Sequence, residues 1–156
     1  MMKRIKRIIS VLVVCVIFIS IVGGGGALAA VLEPSDIGVI CIEPHASRYL
    51  SMYNVQVARG GNGSLVVNHT VIATARFDRV GVLLITIQQR VGASWVSIVT
   101  YSNATAPGLM GNNVVTHNGS FTHSGASGRE LRAVVTVFAG NATGDQRTVT
   151  TGSVFV

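Results

Sequence analysis

Acidic residues and cysteine are scarce in this 156-residue chain, and lysine occurs only near its start. Of the six acids, three precede Arg48 and the others fall in predicted turns or at the start of a predicted strand. Hydrolysis by paired carboxylates needs two acids held about 5 to 10 Å apart across a cleft. Because nothing in the spacing of these acids indicates such a pair, the sequence gives no support to that class of hydrolase.

The motifs of nucleophilic, metal and phosphate chemistry are also missing. No Gly-x-Ser-x-Gly elbow occurs, since residues 125–129 depart from it at the last position. The glycine runs 23–26 and 60–63 lie in an apolar segment and in a predicted hairpin, whereas a phosphate loop joins a strand to a helix. His117 and His123 could share a strand face, but a third metal ligand is not evident. We therefore predict a protein without enzymatic activity, catalytic residues, cofactor or metal.

Only two cysteines are present, Cys15 and Cys41. Cys15 lies within an N-terminal apolar segment, so removal of that segment leaves Cys41 without an internal partner. An odd cysteine in an exported protein is either buried or available to another chain. The apolar neighbours Val39, Ile40 and Ile42 favour the buried alternative.

Residues 1–29 have the features of an export signal. Four basic residues precede the apolar run Ile8–Val22, and Ala27-Leu28-Ala29 fits the rule of small residues at a cleavage site. The alternative is an uncleaved anchor, because residues 8–32 carry no charge and are long enough to span a bilayer. We therefore predict a secreted or cell-surface protein, with a single-pass membrane protein as the alternative.

Removal of the signal changes the charge of the protein. Four of the twelve Lys and Arg residues leave with it, so eight arginines face six acids and the net charge falls from +6 to +2. The arginines are spread along the chain, mostly near predicted strand ends, which is typical of a solvated rim. Nucleic-acid binding would need clustered basic residues, so we predict no nucleic-acid partner.

The segment Val80–Tyr101 is the strongest strand pattern in the chain. Alternation of side chains predicts that Leu83, Ile85 and Ile87 face the core. Residues 91–94 provide a turn, and a second strand starts at Trp95, the only tryptophan. Because large aromatics dominate protein cores, we predict that Trp95 is a core anchor.

The rest of the mature chain is also predicted to be β. We expect a leader or linker at 30–47 and one domain at 48–156, with strands at 48–58, 64–76, 80–90, 95–101, 114–122, 130–139 and 147–156. Residues 77–79 are predicted to turn between the second and third of these strands. On the second strand the odd residues should face inward, which places His69 near the core. Seven strands at this spacing predict an antiparallel sandwich or barrel, and the short chain favours the sandwich.

The sequence resembles small exported immunoglobulin-like β-sandwich proteins of Gram-positive bacteria, a group of uncharacterised function. The resemblance covers most of 48–156, and it is carried by Arg48-Tyr49-Leu50, the ITIQQRVGASW hairpin, the GRELRAVVTVFA strand and the threonine-rich end. It implies an immunoglobulin-like fold of about seven strands and a cell-envelope setting, with no catalytic residues. The chain departs from antibody-like domains because it lacks their cysteine pair and carries its tryptophan on the second strand of the hairpin.

Function is therefore expected to be binding or structural, with an unknown ligand or partner in the envelope or outside the cell. Tyr49, Tyr53 and Tyr101 are the predicted binding face, since arginines lie near them. Five of eight asparagines begin Asn-x-Ser/Thr. These sites either carry glycans or reflect turn chemistry, and the basic N terminus of bacterial type favours turn chemistry.

Overall fold

The computed structural model of the protein describes residues 37–44, 47–125 and 127–156, with side chains from Ser47 onward. These residues form an all-β, antiparallel sheet that curls on itself. The strands are β1 Ile37–Pro44, β2 Leu50–Gly60, β3 Ser64–Val91, β4 Ser94–Ser102, β5 Met110–His123, β6 Glu130–Gly140 and β7 Gly144–Phe155. A 3-10 helix, Pro107–Leu109, precedes β5. The prediction of an all-β antiparallel fold is confirmed.

Two predictions fall on residues outside the described ranges. The export signal and its alternative, the membrane anchor, both lie before residue 37. In the part of the chain that the structure describes, no helix is long and apolar enough to cross a membrane. The backbone of Cys41 lies in β1 opposite Val55, in a strand that pairs along β2. The side chain of Cys41 is outside the described part.

The 28-residue strand β3 is the element that joins the whole sheet. Its first half pairs with β2 on one edge and with β5 on the other. Its second half pairs with β6 on the first edge and with β4 on the other. The strand order is β1-β2-β3-β6-β7, with β4 and β5 added to the free edge of β3.

The predicted turn at Phe77-Asp78-Arg79 is wrong, because β3 runs through it. Phe77 pairs with Val114, and Arg79 pairs with residues of both β5 and β6. The strand changes direction through register shifts and at Gly81, whose φ is +152°. A side chain at Gly81 would start 2.4 Å from the Leu109 carbonyl oxygen, so the backbone approaches the 3-10 helix at a position that only glycine fits.

The core lies inside the curl, where β7 packs near β1 and β2. Predicted inward residues of β2, the first half of β3 and β6 are confirmed. They are fully buried and include Val55, Val57, Leu65, Val67, Val71, Leu131, Val135 and Val137. Each such aliphatic side chain stabilises the fold by roughly 1.5–3 kcal/mol relative to an exposed one. His69 lies among them with 3% of its surface exposed, as predicted, whereas the predicted inward Ala75 is exposed.

The central strand departs from strict alternation at one residue. Val82 pairs with Val137 and Leu84 with Thr136, so Leu83 is an extra residue in β3. This bulge shifts the inward set to Val82 and Ile85, both fully buried, while Leu83 is only half-buried. The prediction that Leu83 belongs to the core face is therefore wrong at that position, and Ile85 and Ile87 are confirmed.

Candidate functional site

Trp95 lies on the outer surface of the sheet. It is half-buried, and it is neither in the core nor among the residues packed against it, so the prediction of a core anchor is wrong. The reason is a bulge: Ile87 pairs with Val99 and Gln88 with Ser97, which leaves Ile98 as an extra residue in β4. The bulge puts Trp95 and Tyr101 on opposite faces, although their spacing in the sequence suggests one face.

Two guanidinium groups accompany the Trp95 ring. The Arg132 Cζ atom lies 4.3 Å from the ring centroid, and the Arg90 Cζ atom lies 5.9 Å from it. Arg90 is the cross-strand partner of Trp95 on β3, and Arg132 extends from β6. Both distances are within the range in which a cation is attracted to the negative face of an aromatic ring. Three neighbouring strands therefore build one cationic, aromatic surface.

A chain of hydrogen bonds crosses the same strands and fixes the Arg132 guanidinium. Arg132 Nε donates to Gln88 Oε1 at 2.8 Å, and Gln88 Nε2 donates to Ser97 Oγ at 3.2 Å. In the next row Arg90 Nη1 lies 3.5 Å from Glu130 Oε2, while Ser153 Oγ donates to Glu130 Oε1 at 2.7 Å. We call the surface formed by Gln88, Arg90, Trp95, Glu130 and Arg132 the Trp95 face.

Hydroxyl groups line the sheet beside the Trp95 face. Thr86 and Thr100 are cross-strand partners with their Oγ1 atoms 2.9 Å apart, and Thr136 and Thr148 have theirs 3.0 Å apart. The charge balance of this region is positive. Two arginines, Arg90 and Arg132, and one acid, Glu130, lie on the Trp95 face.

The arginines of this face were not predicted from the sequence, because their even spread along the chain is typical of a solvated rim. A signal was present: on β6 the inward residues Leu131 and Ala133 flank Arg132, which must point outward in the middle of a sheet. Gln88 has the same position relative to Ile87. The pairing register that brings Arg132, Gln88 and Ser97 into one row could not be read from the sequence.

A second polar cluster lies inside the curl. The ring centroids of His69 and His117 are 5.3 Å apart. His117 shares a hydrogen bond of 3.1 Å with the Gly108 carbonyl oxygen, whereas both ring nitrogens of His69 are buried with no partner among the described residues. Burial, with a smaller effect from the nearby His117, lowers the pKa of His69 from 6.5 to about 4. His69 is therefore a neutral residue at neutral pH.

This cluster does not provide a metal site in the described residues. No group of three or more His, Cys, Asp or Glu side chains converges within the ranges that the structure covers. His117 and His123 have different neighbours, because His123 Nδ1 lies 2.9 Å from the Tyr101 hydroxyl. Burial lowers the pKa of His123.

A shallow polar depression of about 120 Å³ lies along the neighbouring strands β2 and β3. Asn54, Gln56, Asn68, His69 and Thr70 line it. The Asn54 Oδ1 atom is buried without a hydrogen-bond partner in the described part of the chain. No ionisable group other than His69 lines the depression, so it offers amide chemistry but no acid–base pair.

The three predicted tyrosines do not share one exposed surface. Tyr53 is 2% exposed and belongs to the core. Tyr49 is half-buried against Phe77, with ring centroids 5.3 Å apart, and the half-buried Tyr101 packs on Phe121 at 4.5 Å. A binding role for Tyr49 and Tyr101 stays a prediction, while Tyr53 presents almost no surface to a ligand.

Comparisons with known proteins leave the function to be argued from this geometry. No protein-family model matches the chain, and neither the search of curated proteins nor the search of solved structures gave a significant match.

Proposed function

We propose that the protein is an exported, non-enzymatic binding protein of the cell surface or the extracellular space, and that it acts through the Trp95 face. The single observation that supports the binding role most strongly is the outward-facing Trp95, accompanied by Arg132 at 4.3 Å. Large aromatics and arginines on a surface are the residue types that dominate binding hot spots. Among the described residues, Trp95 belongs neither to the hydrophobic core nor to the residues packed against it.

The proposed location outside the cell is supported by the N-terminal sequence. A basic start, an apolar run and a small-x-small site at Ala27-Leu28-Ala29 support a cleaved signal at residues 1–29. We also propose that the curled sheet is an immunoglobulin-like sandwich of the kind found in exported Gram-positive proteins. The two bulged halves of β3, each with its own strand partners, support two packed layers.

A second candidate differs only in the fate of the N terminus. Residues 8–32 contain no charged side chain, which supports a single-pass anchor that displays the same sheet outside the cell. Intact-mass measurement of the native protein without reductant distinguishes the two. A mass equal to residues 30–156 supports secretion, and a full-length mass supports the anchor. A doubled mass would place Cys41 in an intermolecular disulfide.

Co-sedimentation with purified Gram-positive cell walls tests the binding role. The wild-type protein is expected to sediment with the walls, and Trp95→Ala should lose most of this binding. Met52→Ala is the matched control, because Met52 is also an exposed apolar residue but lies on β2. Equal sedimentation of all three proteins would contradict a role for the Trp95 face. No sedimentation of the wild type would contradict the binding function itself.

A further inference from the structure

We propose that the Trp95 face binds a carboxylated polysaccharide, and that Arg132 recognises the carboxylate. This inference rests on the proposed function and specifies the ligand of the same face. It combines three features of the surface: a fixed guanidinium, an adjacent aromatic ring and rows of hydroxyl groups.

The first feature is the orientation of Arg132. Its Nε atom is engaged by Gln88, and Gln88 is held in turn by Ser97. Within the described residues, the terminal amino groups of Arg132 carry no protein hydrogen bond, so they are available to a ligand. A planar guanidinium donates two parallel hydrogen bonds to a carboxylate, and one that is already held in place loses less entropy on binding.

The second feature is the ring of Trp95, over which the Arg132 guanidinium lies. The part of this half-buried indole that the guanidinium leaves uncovered is a rigid apolar surface, and the ring carries a single N–H donor. A sugar ring presents the matching pair of surfaces, because its C–H groups are apolar and its hydroxyls lie at the edge. A ligand that places a carboxylate on Arg132 therefore places its ring atoms near Trp95.

The third feature is a set of threonine hydroxyl groups on the sheet beside the charged residues of the Trp95 face. The pairs Thr86–Thr100 and Thr136–Thr148 present hydroxyl groups and no charge. Adjacent strands are about 4.8 Å apart, so the two pairs lie two strand spacings apart, roughly 10 Å across the sheet, and offer hydroxyl groups to more than one unit of a polymer. A polymer of hydroxylated rings suits this surface along its length, whereas a polymer that interacts only through charge would use one end of it.

The charges on the Trp95 face indicate the sign of the ligand's charge. Arg90 and Arg132 are opposed on the Trp95 face by Glu130 alone. Glu130 pairs with Arg90, which leaves Arg132 as the uncompensated cation. An anion is favoured at Arg132, and a cationic ligand is disfavoured by the net positive field.

Isothermal titration of the full-length protein with three polymers tests the proposal: polygalacturonate, neutral dextran and polyphosphate. Polygalacturonate should bind and dextran should not. Arg132→Gln should weaken binding of polygalacturonate about tenfold or more, and Trp95→Phe should weaken it less. Arg132→Lys keeps the charge but not the two parallel donors, so it should recover only part of the affinity. Arg59→Gln removes an exposed arginine from β2 and is the matched control.

Several outcomes would overturn the proposal. Equal binding of dextran would show that the carboxylate is not recognised. Equal binding of polyphosphate, with full affinity in Arg132→Lys, would show recognition of charge alone. If none of the three polymers binds while the protein still sediments with cell walls, the ligand class is wrong and the binding function stands. Absence of both kinds of binding refutes the proposed function as well. Urea unfolding midpoints of each variant show that the comparison is between folded proteins.

Discussion

Lowering the pH from about 7 to about 4 is expected to destabilise the protein through His69. The side chain is 3% exposed, both its ring nitrogens lack a partner among the described residues, and His117 lies 5.3 Å away between ring centroids. Protonation would place a charge where burial removes its hydration, beside a second imidazole ring. Burial and His117 accordingly lower the pKa of His69 from 6.5 to about 4.

The sign and size of the effect follow from proton linkage. Below pH 6.5 the unfolded chain protonates His69, whereas the folded protein keeps it neutral until about pH 4. In this window the unfolded state binds the additional proton, so acid favours unfolding. The free energy of unfolding falls by up to about 1.4 kcal/mol per pH unit, and the loss reaches about 3 kcal/mol. Below about pH 4 both states are protonated and the contribution no longer changes.

Urea unfolding followed by Trp95 fluorescence measures this slope, because the chain has one tryptophan. His69→Gln removes the His69 contribution and should make the dependence between about pH 6.5 and 4 shallower, whatever its stability at neutral pH. The remaining slope has the same sign and comes from His123, whose pKa burial also lowers. His117→Gln keeps His69 but removes the neighbouring imidazole, so the pKa of His69 should rise and the slope should become smaller. Asp145, whose pKa is lowered mainly by its hydrogen bond from Ser47, loses its contribution only below pH 3.8, outside this window.

Parallel loss of stability in the wild type and His69→Gln would refute the reasoning. It would mean that the buried imidazole is not the group that titrates differently in the two states. A flat wild-type profile would refute it equally, because a neutral buried histidine cannot avoid the linkage.

Two further substitutions test the packing of the sheet. Gly119→Ala should lower the free energy of unfolding by about 1–3 kcal/mol, because its Cβ atom would lie 2.5 Å from a ring carbon of His69. Gly61→Ala, which meets nothing within 4 Å, should leave the urea midpoint near that of the wild type, and equal losses would contradict the clash. Thr151→Val should cost about 1–3 kcal/mol, because the buried Thr151 hydroxyl accepts a hydrogen bond of 3.0 Å from a β6 backbone N–H at a bulge. Thr148→Val on the exposed side should cost far less in the same urea experiment, and a Thr151→Val midpoint that matches it would contradict the role of that bond.

The local strand patterns could be read from the sequence wherever strict alternation holds. On β2 and β6 a period of two places Val55, Val57, Leu131 and Val135 inward, and the structure agrees. The hairpin turns could also be predicted from the sequence, since glycine and asparagine supply the positive φ values that the turns require. Asn62 has a φ of 55° between β2 and β3, and the turn between β3 and β4 uses a glycine in the same way.

The bulges in β3 and β4 could not be predicted, and they change which face of the sheet Leu83 and Trp95 occupy. One extra residue in β3 takes Leu83 out of the core, and one in β4 takes Trp95 to the outer surface. A bulge depends on which strands pair and in what register, so a single strand's sequence carries no sign of it. The same reason explains why β3 continues through Phe77-Asp78-Arg79, where the polar residues suggested a turn.

The sequence by itself determined that residues 37–156, as far as the structure describes them, are all-β with a period-two core and hairpin turns, because those properties depend on neighbouring residues only. Tertiary structure alone decided which side chains meet. Trp95, Gln88 and Arg132 come from three strands, and their row exists only through long-range pairing. His69 and His117 meet for the same reason, since a buried, partnerless imidazole is defined by what surrounds it and not by its place in the chain.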